Sequence, residues 1–91
     1  MIRIRVFGTD TCDKCNDLCA ALDQLGEPYR FVDAGRFDDD EINTLCDDNN
    51  VSDLPHVQFL DDQERVLDEM YGNFVPDQVV TTLESLRAKH G

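Results

Sequence analysis

The chain has 91 residues, of which 41 % are hydrophobic, enough for one small globular domain over residues 1–91 and too apolar for a disordered segment. Twenty acidic residues against eight basic ones leave a net charge of −12, which repels phosphate and argues against nucleic acid and anionic membrane as partners. No apolar run approaches the ~20 residues of a membrane span. The stretch Met1–Val6 enters a strand-like pattern at once, without an apolar leader, so the expected location is the cytoplasm. Lysine occurs only at Lys14 and Lys89, against fifteen aspartates. Such acidity fits either a partner surface of positive potential or a proteome adapted to high salt, and both readings stand.

Ile2, Ile4 and Val6 alternate with Arg3 and Arg5, which reads as a first strand with one buried face. Gly8-Thr9-Asp10-Thr11 is a loop. From Cys12 the period changes: Cys15, Leu18, Cys19, Leu22 and Leu25 recur at helical steps, and Gly26 with Pro28 ends that helix. Tyr29-Arg30-Phe31-Val32 is a second strand. The acids Asp38 to Glu41 suit a helix start, Ile42, Leu45 and Cys46 form its buried stripe, and Asp47 to Asn50 ends it. Val57 to Leu60 is a third strand, Asp61-Asp62-Gln63 a tight turn, and Arg65-Val66-Leu67 opens a fourth. Gly72-Asn73 breaks the chain. Pro76-Asp77 begins a last helix with Val79, Val80, Leu83 and Leu86 inward. The order βαβ then ββα predicts an α/β fold: a four-stranded mixed sheet flanked by three helices.

Four cysteines occur, Cys12, Cys15, Cys19 and Cys46. In a cytosol, thiols stay reduced unless they are catalytic or hold metal. Cys12-Asp13-Lys14-Cys15 stands where a strand ends and a helix begins. A helix start offers unpaired backbone N–H groups and the positive end of the dipole, and both favour a thiolate at Cys12. Lys14 favours it too, while Asp10 and Asp13 oppose it. Cys12 is therefore expected to be the exposed nucleophile and Cys15, one turn inside, the resolving thiol. The competing reading is a metal module, holding zinc or an iron–sulfur cluster through Cys12, Cys15 and Cys19; zinc sites want four ligands, and the chain offers one clear pair. Cys19 and Cys46 read as small core residues. His56 follows the proline and could line the site, but reads first as a strand residue without chemistry, and His90 as part of an inert tail.

Over nearly its whole length the sequence resembles the glutaredoxins of the thioredoxin superfamily. The matching pieces are Ile4-Arg5-Val6-Phe7, Cys12-Asp13-Lys14-Cys15, Ala21-Leu22-Asp23-Gln24-Leu25-Gly26, Tyr29-Arg30-Phe31-Val32-Asp33 and Leu54-Pro55-His56-Val57. Within that family it looks most like the small redoxins that donate electrons to ribonucleotide reductase, through Tyr71-Gly72-Asn73-Phe74-Val75-Pro76-Asp77. The Trp-Cys-Gly-Pro-Cys motif of thioredoxins is absent. The resemblance implies a thioredoxin-like fold, reduction of a client protein's disulfide through a Cys12–Cys15 redox pair, and no cofactor or metal beyond that pair. It implies a monomer and a cis peptide before Pro55 that leaves the Leu54 backbone free to pair with the client. Thr11, Asp13, Lys14, Leu54, Pro55 and Gly72 are the expected client-binding residues, and ribonucleotide reductase is the leading client. The electron donor is either glutathione or thioredoxin reductase. The Gly-Gly-to-Asp segment that holds glutathione has only Gly72-Asn73 in its place, which favours the reductase.

Overall fold

The computed structural model describes residues 2–36 and 38–90; Met1, Phe37 and Gly91 lie outside the described residues, Met1 with the start of the first expected strand. Four strands, β1 (Arg3–Gly8), β2 (Tyr29–Asp33), β3 (His56–Leu60) and β4 (Val66–Tyr71), alternate with three helices, α1 (Asp13–Gln24), α2 (Asp40–Asp48) and α3 (Pro76–His90). The strands form one sheet in the order β2-β1-β3-β4. β1 pairs in parallel with β2 and antiparallel with β3, and β3 pairs antiparallel with β4. The element order and the four-stranded mixed sheet flanked by three helices are those the sequence predicts; the order of strands within the sheet is what the structure adds.

Local chemistry sets the helix ends. α1 stops in a paired turn at Gly26 (φ +71°), where the Gly26 and Glu27 amides donate to the Asp23 and Leu22 carbonyls. Asp39 caps α2 by accepting from the Glu41 and Ile42 amides. Pro76 occupies the first position of α3, and the Gln78 side chain reaches back to accept from the Val75 amide. The β3–β4 connection is organised by Asp61. One of its carboxylate oxygens accepts from the Gln63 and Arg65 amides, both at 2.9 Å, and Glu64 takes a left-handed conformation (φ +62°). The turn is therefore longer than three residues, and the fourth strand begins at Val66 rather than Arg65.

One sheet face carries the core. Ile4, Val6, Val57 and Phe59 pack against Leu18 and Leu22 of α1 and Val79, Leu83 and Leu86 of α3. The opposite face, under α2, is different. There Phe7 shares the surface with Arg5, His56 and Gln58, all nearly buried. Arg5 does not lie on an exposed face as its alternation with Ile4 and Val6 suggests: β1 is a central strand covered on both sides, and Arg5 is 8 % exposed. Its Nε donates to Gln58 Oε1 at 3.0 Å, a second guanidinium nitrogen shares that acceptor, and burial pulls the guanidinium below its ordinary pKa.

The stripe expected on α2 is correspondingly weak. No residue of α2 is fully buried; Ile42, Leu45 and Cys46 are half-buried. The sheet beneath offers polar side chains instead of a surface to interlock with, and clefts of about 440 Å³ and 560 Å³ lie along the two sides of the helix. Leu25 also departs from expectation. The helix has ended before it, and its side chain is 57 % exposed. Leu22→Ala, in the closed core, should therefore cost about 2–5 kcal/mol. Leu25→Ala should stay within about 0.5 kcal/mol of wild type. Denaturant titration of both variants checks the pair; equal losses would contradict the assigned burial.

Candidate functional site

Three connections meet at one end of the sheet. β1 runs toward this end and passes into the loop before Cys12. β3, antiparallel to it, starts there from the segment ending at Pro55, and β4 finishes there at Tyr71 before Gly72. The register Phe7↔His56↔Tyr71 brings the three chain crossings side by side. Cys12, Pro55 and Gly72, separated by tens of residues in the chain, thus belong to one region.

Cys12 is the N-cap of α1, with extended backbone angles, and its sulfur accepts from the Cys15 amide at 3.3 Å. A helix start leaves its first amides without backbone partners, and here the sulfur of a half-buried cysteine takes the place usually held by a serine or aspartate oxygen. The helix repeat then carries Cys15 one turn inward, where its residue is fully buried. Both thiols are free. Burial, and then the hydrogen bond with Cys12, push the Cys15 thiol up from an ordinary 9.0 to about 12. Room for Cys15 depends on Gly8: a Cβ built there would stand 2.8 Å from the Cys15 sulfur and 3.2 Å from the Phe31 ring. The site therefore presents one accessible sulfur backed by one closed, protonated sulfur.

The other expected site residues fall around this pair. Thr11 and Asp13 are exposed at the helix start, with the Thr11 hydroxyl 3.4 Å from that of Thr9. The Leu54–Pro55 peptide is cis; Pro55 is buried and Leu54 half-buried. Gly72 takes φ +81°, a conformation that an L side chain would strain. Lys14 is exposed and has a partner of its own. Its ammonium donates to Asn73 Oδ1 at 2.7 Å, so it ties the α1 start to the loop after β4. Asn73, which interrupts the redoxin-like motif, thereby gains a definite contact that the sequence reading missed.

Among the described residues no three His, Cys, Asp or Glu side chains gather to hold a metal ion. Cys19 packs against the core, and burial pushes its thiol up. Cys46 is half-buried on α2, and burial followed by the Asp47 charge pushes it up as well.

His56 is the residue that sequence reasoning undervalued. It is 2 % exposed, and its Nε2 donates to Glu69 Oε2 at 3.1 Å. That oxygen also accepts from Gln58 Nε2 at 3.2 Å. The His56 bond first, and the Gln58 bond second, hold the Glu69 carboxyl below the usual range. A polar residue on a central strand flanked by apolar positions was the available signal; its partner lies thirteen positions away on β4.

The closed position of Cys15 has a pH consequence. A thiol whose folded value is raised contributes stability below its unfolded value, here 9.0, and loses it as pH climbs toward 12. The reduced wild type should therefore lose stability across that interval more steeply than Cys15→Ser, as measured by denaturation midpoints. Near pH 7.5 a small alkylating reagent should modify Cys12 and leave Cys15 intact in native protein, read by peptide mass analysis. Faster labelling of Cys15 would reverse the assignment.

No protein-family model matches the chain, and no curated protein sequence matches it. Solved structures do share its architecture. Thioredoxin 1 from the thermophilic eubacterium Thermosipho africanus TCF52B aligns with a TM-score of 0.74 at 20 % identity, over 98 % of this chain and 99 % of that one. A mutant thioredoxin from Halobacterium salinarum NRC-1 gives 0.74 at 23 %, over 92 % and 73 %. The thioredoxin f2 complex with ferredoxin:thioredoxin reductase gives 0.75 at 16 %, over 94 % and 77 %. What these proteins have in common with the present chain is the course of the backbone, and the chain has a thioredoxin-like α/β fold.

Proposed function

We propose that the protein is a dithiol–disulfide oxidoreductase that reduces protein disulfides through Cys12 and Cys15. The observation that carries this reading is the asymmetry of the pair: half-buried Cys12, whose sulfur caps α1, and fully buried Cys15 one turn behind it. The Cys12 thiolate attacks one sulfur of a client disulfide. A Cys12–client mixed disulfide forms, and the other client sulfur leaves as a thiolate that takes up a proton. Cys15 then gives up its proton and attacks the Cys12 sulfur, closing the Cys12–Cys15 disulfide and expelling the second client thiolate. Two electrons pass from the protein to the client. Formation of the mixed disulfide removes the Cys12 sulfur as a hydrogen-bonding and charged neighbour, and with it one of the causes that hold Cys15 protonated.

The glutaredoxin-like motifs and the redoxin-like segment after Tyr71 support a cytoplasmic, monomeric redoxin with ribonucleotide reductase as a client. For the electron donor we favour a thioredoxin reductase over glutathione. Glutathione needs cations for its carboxylates. Lys14, the lysine beside the pair, is already bonded to Asn73, and Asp10 and Asp13 surround the helix start. A flavoprotein reductase reads the protein surface and needs no such pocket. The complex of thioredoxin f2 with ferredoxin:thioredoxin reductase is an instance of a protein of this fold bound to a reductase, and it supports this choice.

Cys12→Ser should abolish insulin disulfide reduction. Cys15→Ser should abolish turnover yet accumulate a mixed disulfide that captures the client. NADPH consumption should be faster with thioredoxin reductase than with glutathione and glutathione reductase, measured side by side on one disulfide substrate. Turnover by Cys12→Ser would refute the reading, and turnover with the glutathione system alone would reverse the choice of donor.

A further inference from the structure

Beneath the three site loops the sheet ends in a row that runs across all four strands: Val32, Phe7, His56 and Tyr71, joined by the pairings Phe7↔Val32, Phe7↔His56 and His56↔Tyr71. His56 is the ionisable member of that row apart from the Tyr71 phenol, and it is the residue that follows Pro55. Its ring meets Phe7 edge-on at 5.6 Å and Tyr71 at 5.2 Å. Nε2 is pinned to Glu69. Glu69 also accepts from Gln58, whose amide donates to Asn49 Oδ1 at 3.0 Å. Asn49 caps the end of α2. The segment that carries Leu54 and Pro55 therefore leaves a residue held by Gln58 and arrives at a residue held by Glu69.

This arrangement sacrifices something. His56 Nδ1 is the one buried side-chain nitrogen or oxygen without a hydrogen-bond partner among the described residues. Leaving such an atom unpaired weakens a fold, and an apolar side chain of similar size would avoid the loss. The imidazole is explained by what its other nitrogen fixes in place.

We propose that His56 is a positioning residue for client docking. Pinned by Glu69 and clasped between Phe7 and Tyr71, it sets the course of Leu54–Pro55 on one side and of Tyr71–Gly72 on the other. It thereby sets the affinity for the extended protein segment that presents the disulfide. It does so from the α2 side of the sheet, whereas Cys15 lies on the α1 side against Gly8. Its removal therefore leaves the reacting sulfurs undisturbed. The proposal rests on the oxidoreductase reading for its kinetic consequences, and on geometry alone for the loops.

The test uses His56→Leu, Glu69→Leu and Glu69→Gln in the full chain. His56→Leu and Glu69→Leu should raise KM for insulin about tenfold at nearly constant kcat, the scale of one hydrogen bond to a charged group. Both should leave the reduction of hydroxyethyl disulfide and the alkylation rate of Cys12 at wild-type values. Glu69→Gln keeps an acceptor for Nε2–H and should restore most of the affinity. Amide hydrogen exchange should be faster in segments 51–56 and 71–73 of both leucine variants and near wild type in Glu69→Gln. Glu69 lies partly in solvent, so its variants serve even if His56→Leu does not fold. Equal losses for insulin and hydroxyethyl disulfide, or unchanged exchange in both segments, would overturn the proposal. If the wild type fails to reduce insulin, the oxidoreductase reading falls, and the exchange data still decide whether His56 holds the loops.

Discussion

A helix must find partners for the amides of its first turn, and α1 finds one in the sulfur of Cys12. That constraint holds Cys12 outside the helix, at the surface, with its sulfur turned back toward the helix axis. The same helix geometry moves Cys15 by one turn into the interior. Accessibility on one side of the pair and closure on the other come from a single local rule. The neighbourhood is built to accept it. Gly8 ends β1 without a side chain, because any Cβ there would strike the Cys15 sulfur, and Leu18 and Leu22 anchor the rest of α1 in the core.

The two faces of the sheet divide the work. The α1–α3 face is apolar and interlocked, and it provides most of the buried hydrophobic surface. The α2 face carries a chain of hydrogen bonds from Arg5 through Gln58 to Asn49, Glu69 and His56. Such a network sets positions sharply, because each member has few satisfactory arrangements. It contributes little attraction for a packed helix, and α2 accordingly sits on half-buried contacts with clefts beside it. The face that is weaker in packing is the one that governs the segment leading to Pro55.

Charge has a different distribution from the core. Several acids lie at helix ends and turns, where Asp39 and Asp61 accept backbone amides that would otherwise lack partners. Some of the acidity is therefore structural, consumed in caps and turns. Three more, Asp10, Asp13 and Asp17, are exposed near Cys12. Five of the eight lysines and arginines are committed: Lys14 to Asn73, Arg65 to Asp61, Arg87 to Glu27, Arg36 to Asp33 and Arg5 to Gln58.

The element order, the acidic start of α2, the end of α1 at Gly26, the N-terminal proline of α3 and the position of Cys12-Asp13-Lys14-Cys15 at a strand-to-helix junction could all be read from the chain. They depend on residues within a turn or two of each other, and local propensity and periodicity record such relations directly. The meeting of Cys12, Pro55 and Gly72 was legible only through a resemblance to a known family, because no local pattern states which strand lies beside which. Three matters were decided by the tertiary structure alone. Arg5 is buried because β1 turned out to be covered on both faces, and alternation describes one strand without its neighbours. The α2 stripe is shallow because its counterpart on the sheet is polar, and a helix sequence cannot report the surface it will meet. His56 gained Glu69, and Lys14 gained Asn73, across thirteen and fifty-nine positions of chain. Pairings at that range are fixed by sheet register and loop course, which exist only once the whole domain has folded.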